Sequence, residues 1–122
     1  MTDLFSFANF LDDLVPSVEL IGGLFFLDRF HRGPTVIASE IATHSSPKEA
    51  QRWLNMVPID DFLDVANPDW SMDDPTLERI KNIYARSWLA GIDARYGKQE
   101  GLSVSLLKDH EVGDVVVRLD QK

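Results

Sequence analysis

Three histidines and no cysteine bound the chemistry open to this chain. His31, His44 and His110 form no pair at a spacing of four, and none opens an HExxH arrangement. His44 adjoins Ser45 and Ser46, but residues adjacent in sequence rarely serve as nucleophile and base, and Ser46 is better suited to capping a helix. Without cysteine there is no thiol nucleophile, no disulfide and no thiolate-held zinc. Gly22-Gly23 runs into Leu24-Phe25-Phe26 and so lacks the lysine and hydroxyl residue of a phosphate loop. Asp69, Ser71 and Asp73 take the first, third and fifth places of a calcium loop, yet Asp74 replaces its glycine and Ile80 its closing glutamate. The reading leans away from an enzyme and expects no catalytic residue, metal or cofactor.

Carboxylates are the abundant chemistry. Twenty acids oppose twelve Lys and Arg, a net charge of −8. Between Trp53 and Glu78 there is no Lys or Arg, while Asp60, Asp61, Asp64, Asp69, Asp73, Asp74 and Glu78 all fall there. Asp73, Asp74 and Glu78 suit a helix start, where carboxylates cap amides and face the positive end of the dipole. The remainder interleave with Phe62 and Trp70. An unbalanced negative field speeds association with a basic partner and repels nucleic acid. The leading expectation is therefore a small acidic, non-catalytic protein-interaction module: an adaptor, an inhibitor or an immunity-type partner of a basic protein. Its docking residues would be Asp60, Asp61, Phe62, Asp64, Asp69 and Trp70.

The alternative is a DNA-binding regulator built on residues 36–55. Val36 to Ala42, a short turn, and Ser46 to Asn55 read as helix, turn, helix, with Lys48, Gln51, Arg52 and Asn55 displayed outward toward bases and phosphates. The fragments Glu40-Ile41-Ala42 and Arg52-Trp53-Leu54 resemble those of bacterial helix-turn-helix regulators, although the turn is about two residues short of the usual one and lacks its glycine. Lys48 and Arg52 are the only Lys or Arg from Pro34 to Glu78, too few to neutralise a phosphate backbone, so nucleic acid is the weaker reading.

The elements that must position these residues follow from periodicity and punctuation. Leu4, Phe7, Leu11 and Leu14 predict an amphipathic helix stopped by Pro16. Residues 18–32 admit two readings. Gly22-Gly23 could turn a hairpin, but Ser17 as cap, Gly33 as terminator and the apolar Leu20, Ile21, Leu24, Phe25 and Leu27 tip the balance to a buried helix ending near His31. Thr35 can cap a short helix through Ala42. Ser46-Pro47-Lys48-Glu49 is a capping box with proline at the first turn, predicting a helix with Ala50, Trp53, Leu54 and Val57 on one face and Pro58 at its end. Ile59 to Ala66 suits one or two turns. Asp74-Pro75 opens the longest helix, striped by Leu77, Ile80, Tyr84, Trp88 and Ile92 and ended by Gly97. The period then changes to two: Leu102, Val104 and Leu106, then Val115, Val117 and Leu119, joined through a loop containing Gly113.

The expected fold class is α+β: a mainly helical N-terminal two-thirds with one long scaffold helix, then a C-terminal antiparallel hairpin packed on the helices. At 122 residues and 44% apolar content, a single domain over 1–122 is expected, with core enough to fold without disulfides. No apolar run reaches the ~18 residues of a membrane helix, and acids without Lys or Arg before Arg29 do not suit a leader. A cytoplasmic protein is expected, and the long helix offers a second face through which a homodimer could form.

Overall fold

Gly22 and Gly23 both adopt left-handed backbone angles, with φ of 60° and 82°. They close a two-residue turn between strands β1 (Ser17–Ile21) and β2 (Leu24–Asp28), in which Ile21 pairs with Leu24. Helix α1 (Thr2–Leu14) precedes this hairpin, and α2 (Pro34–Ile41), α3 (Pro47–Leu54), β3 (Met56–Pro58), α4 (Asp60–Ala66), α5 (Pro75–Tyr96), β4 (Leu102–Asp109) and β5 (Asp114–Gln121) follow. The computed structural model describes residues 2–122 except Asn67, His110, Val112 and Gly113; side chains are described from Ala8 onward, without those four and without Asp61, Val65 and Ala66. The turn role expected of Gly113 and the loop position of His110 lie outside the described residues.

The fold is α+β, but the expected arrangement is corrected. The long helix lies mid-chain among two separate antiparallel sheets, one of β1-β2 and one in the order β3-β5-β4, rather than helices giving way to a lone hairpin. Residues 17–28 are a hairpin, not a buried helix. The reason lies in how β2 is buried. Phe25 and Leu27 face the main core while Phe26 enters a second cluster with Ile37 and Ala50. A strand apolar on both faces loses the alternation that marks strands in sequence. His31 accordingly sits in the loop after β2, with φ of 53°, and not in a last helical turn.

A second correction concerns the segment after the capping box. Ser46 does cap α3, its hydroxyl accepting the Glu49 N–H at 3.1 Å. The helix ends at Leu54, and Val57, expected on its buried face, instead pairs with Val117 as part of β3. Val57 is β-branched and fits a buried central ladder position. The C-terminal ladder runs unbroken from Leu102↔Gln121 to Asp109↔Asp114, so β3 turns the expected hairpin into a three-stranded sheet.

The main core lies between this sheet, the hairpin and α5. The stripe Leu77, Ile80, Tyr84, Trp88 and Ile92 is buried as its spacing predicts, over a helix roughly 33 Å long. Asp74 caps it by accepting the Thr76 N–H at 2.9 Å. Its outer face carries Arg79, Asn82, Arg86 and Asp93 around a half-exposed Ile83, not an apolar surface. Helix α1 is fastened to α5 where the Trp88 indole N–H meets the Asp13 carbonyl at 2.9 Å and Ser87 donates to the Leu14 carbonyl. No helix among the described residues is long and apolar enough to cross a membrane.

Candidate docking face

Helix α4 begins where β3 stops, because the chain leaves the sheet at Ile59 after one last backbone bond to Val115 at 3.0 Å. The Asp60 carboxylate continues the pairing in place of backbone and accepts the Val115 N–H at 2.5 Å. Asp60 is thus a structural end-piece of the sheet. Burial raises its carboxyl above the ordinary value; the Val115 amide opposes this, and the negative charges of Asp114 and then Asp64 add to the rise. Asp114 is a member of this group that the acid run did not reveal. It lies fifty residues downstream of Asp64 and arrives only through the register of β5.

The other expected docking residues divide by role. Phe62 stacks on Phe10 with ring centroids 4.5 Å apart and an interplanar angle of 10°. Trp70 is half-buried against the main core and donates its indole N–H to Asp64 at 2.7 Å, folding the segment after α4 back onto that helix. Asp64 and Asp69 are exposed, and the side chain of Asp61 lies outside the described residues. Among the described residues no Lys or Arg comes within ion-pair distance of Asp60, Asp64, Asp73, Asp74 or Asp114, whereas Glu78 pairs with Lys81 at 2.6 Å. Asp60, Asp64 and Asp114 therefore form a shoulder of like charge at the junction of α4 and β5.

Beside this shoulder a groove of about 380 Å³ runs between α1, the end of β2, the end of β3, α4 and α5. Ile59 and Tyr84 are its most buried residues, Phe10, Phe62 and Pro58 its walls, and Asn9, Asp12 and Phe30 its exposed rim. The Asp13 carboxylate takes both Arg29 Nε and Nη2, at 2.9 and 3.1 Å, so these two charges neutralise each other. Phe30 is 67% exposed. Its loop is held by the buried Asp28 carboxylate, which accepts the amides of Arg32 at 3.0 Å and Gly33 at 2.8 Å. Burial pushes the Tyr84 phenol well above its ordinary value, and the Asp13 charge adds to this while Arg29 opposes it. Of these lining residues only Phe62 belongs to the expected docking set; the α5 stripe marks Tyr84 as core and Pro58 reads as a helix end, and no local pattern shows that these residues of five elements meet in one groove.

The residues of the DNA-binding alternative lie elsewhere and are engaged internally. Gln51 and Asn55 are buried, which corrects their expected outward display. Asn55 donates to the Phe25 carbonyl at 2.9 Å and accepts the Leu27 N–H at 2.8 Å, while Gln51 donates to the Phe25 carbonyl at 3.2 Å and to Gln121 Oε1 at 2.7 Å. These amides close the outer edge of β2, whose backbone groups would otherwise be buried without partners. Lys48, although exposed, reaches the Gln121 carbonyl at 2.7 Å. Arg52 lies over the Trp53 ring and pairs with buried Asp109 at 3.0 Å and with Glu111 at 3.3 Å. The polar face of α3 is an internal seam.

Ser17 Oγ lies 2.6 Å from His31 Nδ1, a hydroxyl–imidazole pair open to solvent, and among the described residues no carboxylate bonds the other ring nitrogen to orient it. Among the described residues no group of three His, Asp or Glu side chains is arranged to hold a metal. Comparisons with protein-family models, with curated proteins and with solved structures give no match.

Proposed function

We propose that this chain is a cytoplasmic, non-catalytic protein-interaction module that docks a protein with a basic surface through the shoulder formed by α4 and the start of β5. The observation that carries this reading is that Asp114 and Asp64 each lie near enough to Asp60 to add to the rise that burial gives its carboxyl, with no Lys or Arg at ion-pair distance of the three among the described residues. Like charges held together cost folding free energy, and a basic partner would relieve that cost on binding. Phe62 and Trp70 support the face from beneath, half-buried against Phe10 and Asp64. A nucleic-acid partner is disfavoured by the same field and by the internal engagement of Lys48, Gln51, Arg52 and Asn55.

The test uses the full chain as bait in an extract of its native host, beside the double variant Asp64→Lys, Asp114→Lys. Asp60 is left intact because its carboxylate closes the sheet on Val115. A basic protein retained by the native chain at low salt, released as salt rises and lost with the double variant is the expected result. Retention of the same proteins by both baits at every salt concentration would dismiss the acidic shoulder as the docking site.

A further inference from the structure

The groove beside the shoulder has a chemistry of its own. Its surface is mostly aromatic and prolyl: Phe10, Phe62, Tyr84, Phe30 and Pro58. At about 380 Å³ it falls within the ~300–1,000 Å³ typical of sites that enclose a small ligand or a long side chain. Three ionised groups line it. Two of them, Asp13 and Arg29, cancel in a bidentate pair. The third, Asp12, is exposed and makes no side-chain hydrogen bond or ion pair among the described residues. Among the described residues, what remains is an apolar groove with one uncompensated negative charge at its rim.

We infer that this groove receives an arginine side chain of the basic partner. The inference rests on the docking reading above and extends it to a second, adjoining contact. Arginine matches the groove on both counts. Its three methylenes bury against aromatic and prolyl surface while the head stays at the rim. Its planar guanidinium stacks on rings and forks onto a carboxylate such as Asp12, which a neutral or acidic side chain cannot do. The groove is already shaped without a ligand. Phe62 is fixed on Phe10 by stacking, Phe10 meets Tyr84 edge to face at 5.6 Å, and Asp28 holds the loop that presents Phe30. Little ordering entropy is then left to oppose binding.

The experiment titrates the isotope-labelled full chain with the capped tripeptide acetyl-Gly-Arg-Gly-amide and follows the aromatic and backbone resonances by NMR. The control peptide carries citrulline, which keeps the stem and loses the charge. Saturable shifts at Phe10, Phe62 and Tyr84 are expected with Kd of order 1 mM, and citrulline should bind about fivefold or more weakly. Asp12→Asn should reduce arginine binding to the citrulline level, whereas Asp93→Asn, on the outer face of α5, should leave it unchanged. Absence of saturable shifts at tens of millimolar peptide, equal affinity for citrulline, or indifference to Asp12→Asn each overturns the inference. Loss of the groove site with retained, salt-sensitive capture by the Asp64–Asp114 shoulder would refute this inference alone. Arginine binding by a chain whose capture ignores the double reversal would refute the shoulder alone.

Discussion

Truncating Asn55 to alanine strikes the seam that joins the N-terminal hairpin to the rest of the molecule. Asn55 is fully buried, and its amide serves three backbone groups: the Leu27 N–H at 2.8 Å, the Phe25 carbonyl at 2.9 Å and the Leu119 carbonyl at 3.4 Å. The losses are unequal. Phe25 keeps a second donor in Gln51, and the Leu119 bond is long, so each should contribute about 0.5 kcal/mol. The Leu27 N–H is left buried with nothing to accept it, at a cost of about 1–3 kcal/mol. Together with the space vacated by the amide, Asn55→Ala should lose about 3 kcal/mol, a large part of the ~5–15 kcal/mol that holds a typical domain folded. In urea, at an m-value of roughly 1.5 kcal/mol/M, the midpoint should fall by about 2 M with little change of slope. Asn82→Ala, on the solvent face of α5, serves as control and should change stability by less than about 0.5 kcal/mol. A loss below about 1 kcal/mol for Asn55→Ala would mean that the Leu27 amide has another acceptor, and the assigned role of the seam would be wrong.

Two further outcomes follow from the same geometry. Trp88→Ala removes a side chain buried at the centre of α5 and its bond to the Asp13 carbonyl, and should cost about 3–5 kcal/mol in denaturant titration; a loss under about 1 kcal/mol would contradict its burial. Asp60 is held above its ordinary 3.8, so the folded chain binds its proton more tightly than the unfolded one; this contribution is fully present below 3.8 and is lost as pH rises through the folded value. Asp60→Asn keeps an oxygen for the Val115 amide and removes that loss, so urea titrations should show the variant gaining on the native chain from about pH 4 toward pH 7; a difference independent of pH would refute the assignment.

Two of the places where sequence and structure part share one cause. At residues 17–28 the period-two signal is absent because β2 lies between two apolar clusters and buries both faces, so composition mimicked a helix. At Gln51 and Asn55 the helical pattern places polar side chains toward water, one on α3 and one at its C-terminal cap. Both turn inward because the edge of β2 needs donors and an acceptor that no neighbouring strand supplies there. In both places the burial of a face is set by what packs opposite it, which the local sequence does not encode. The acid run shows the same division. Its lack of Lys and Arg is plain in the sequence, but its split into a sheet end-piece at Asp60, a helix cap at Asp74, an ion-paired Glu78 and an exposed Asp64 is not.

Sequence by itself determined the extent and buried stripe of α5, the capped start of α3, the two C-terminal strands and the excess of carboxylates in the middle of the chain. All of these depend on interactions within a few residues, so caps, prolines and short periods record them. Only the tertiary structure decided that Asp114 joins Asp60 and Asp64, that Asp13 neutralises Arg29 beside an exposed Asp12, and that residues of five elements enclose one aromatic groove. Those groups lie up to seventy-five positions apart, from Asn9 to Tyr84 in the groove, and no local spacing encodes the closure that brings them into contact.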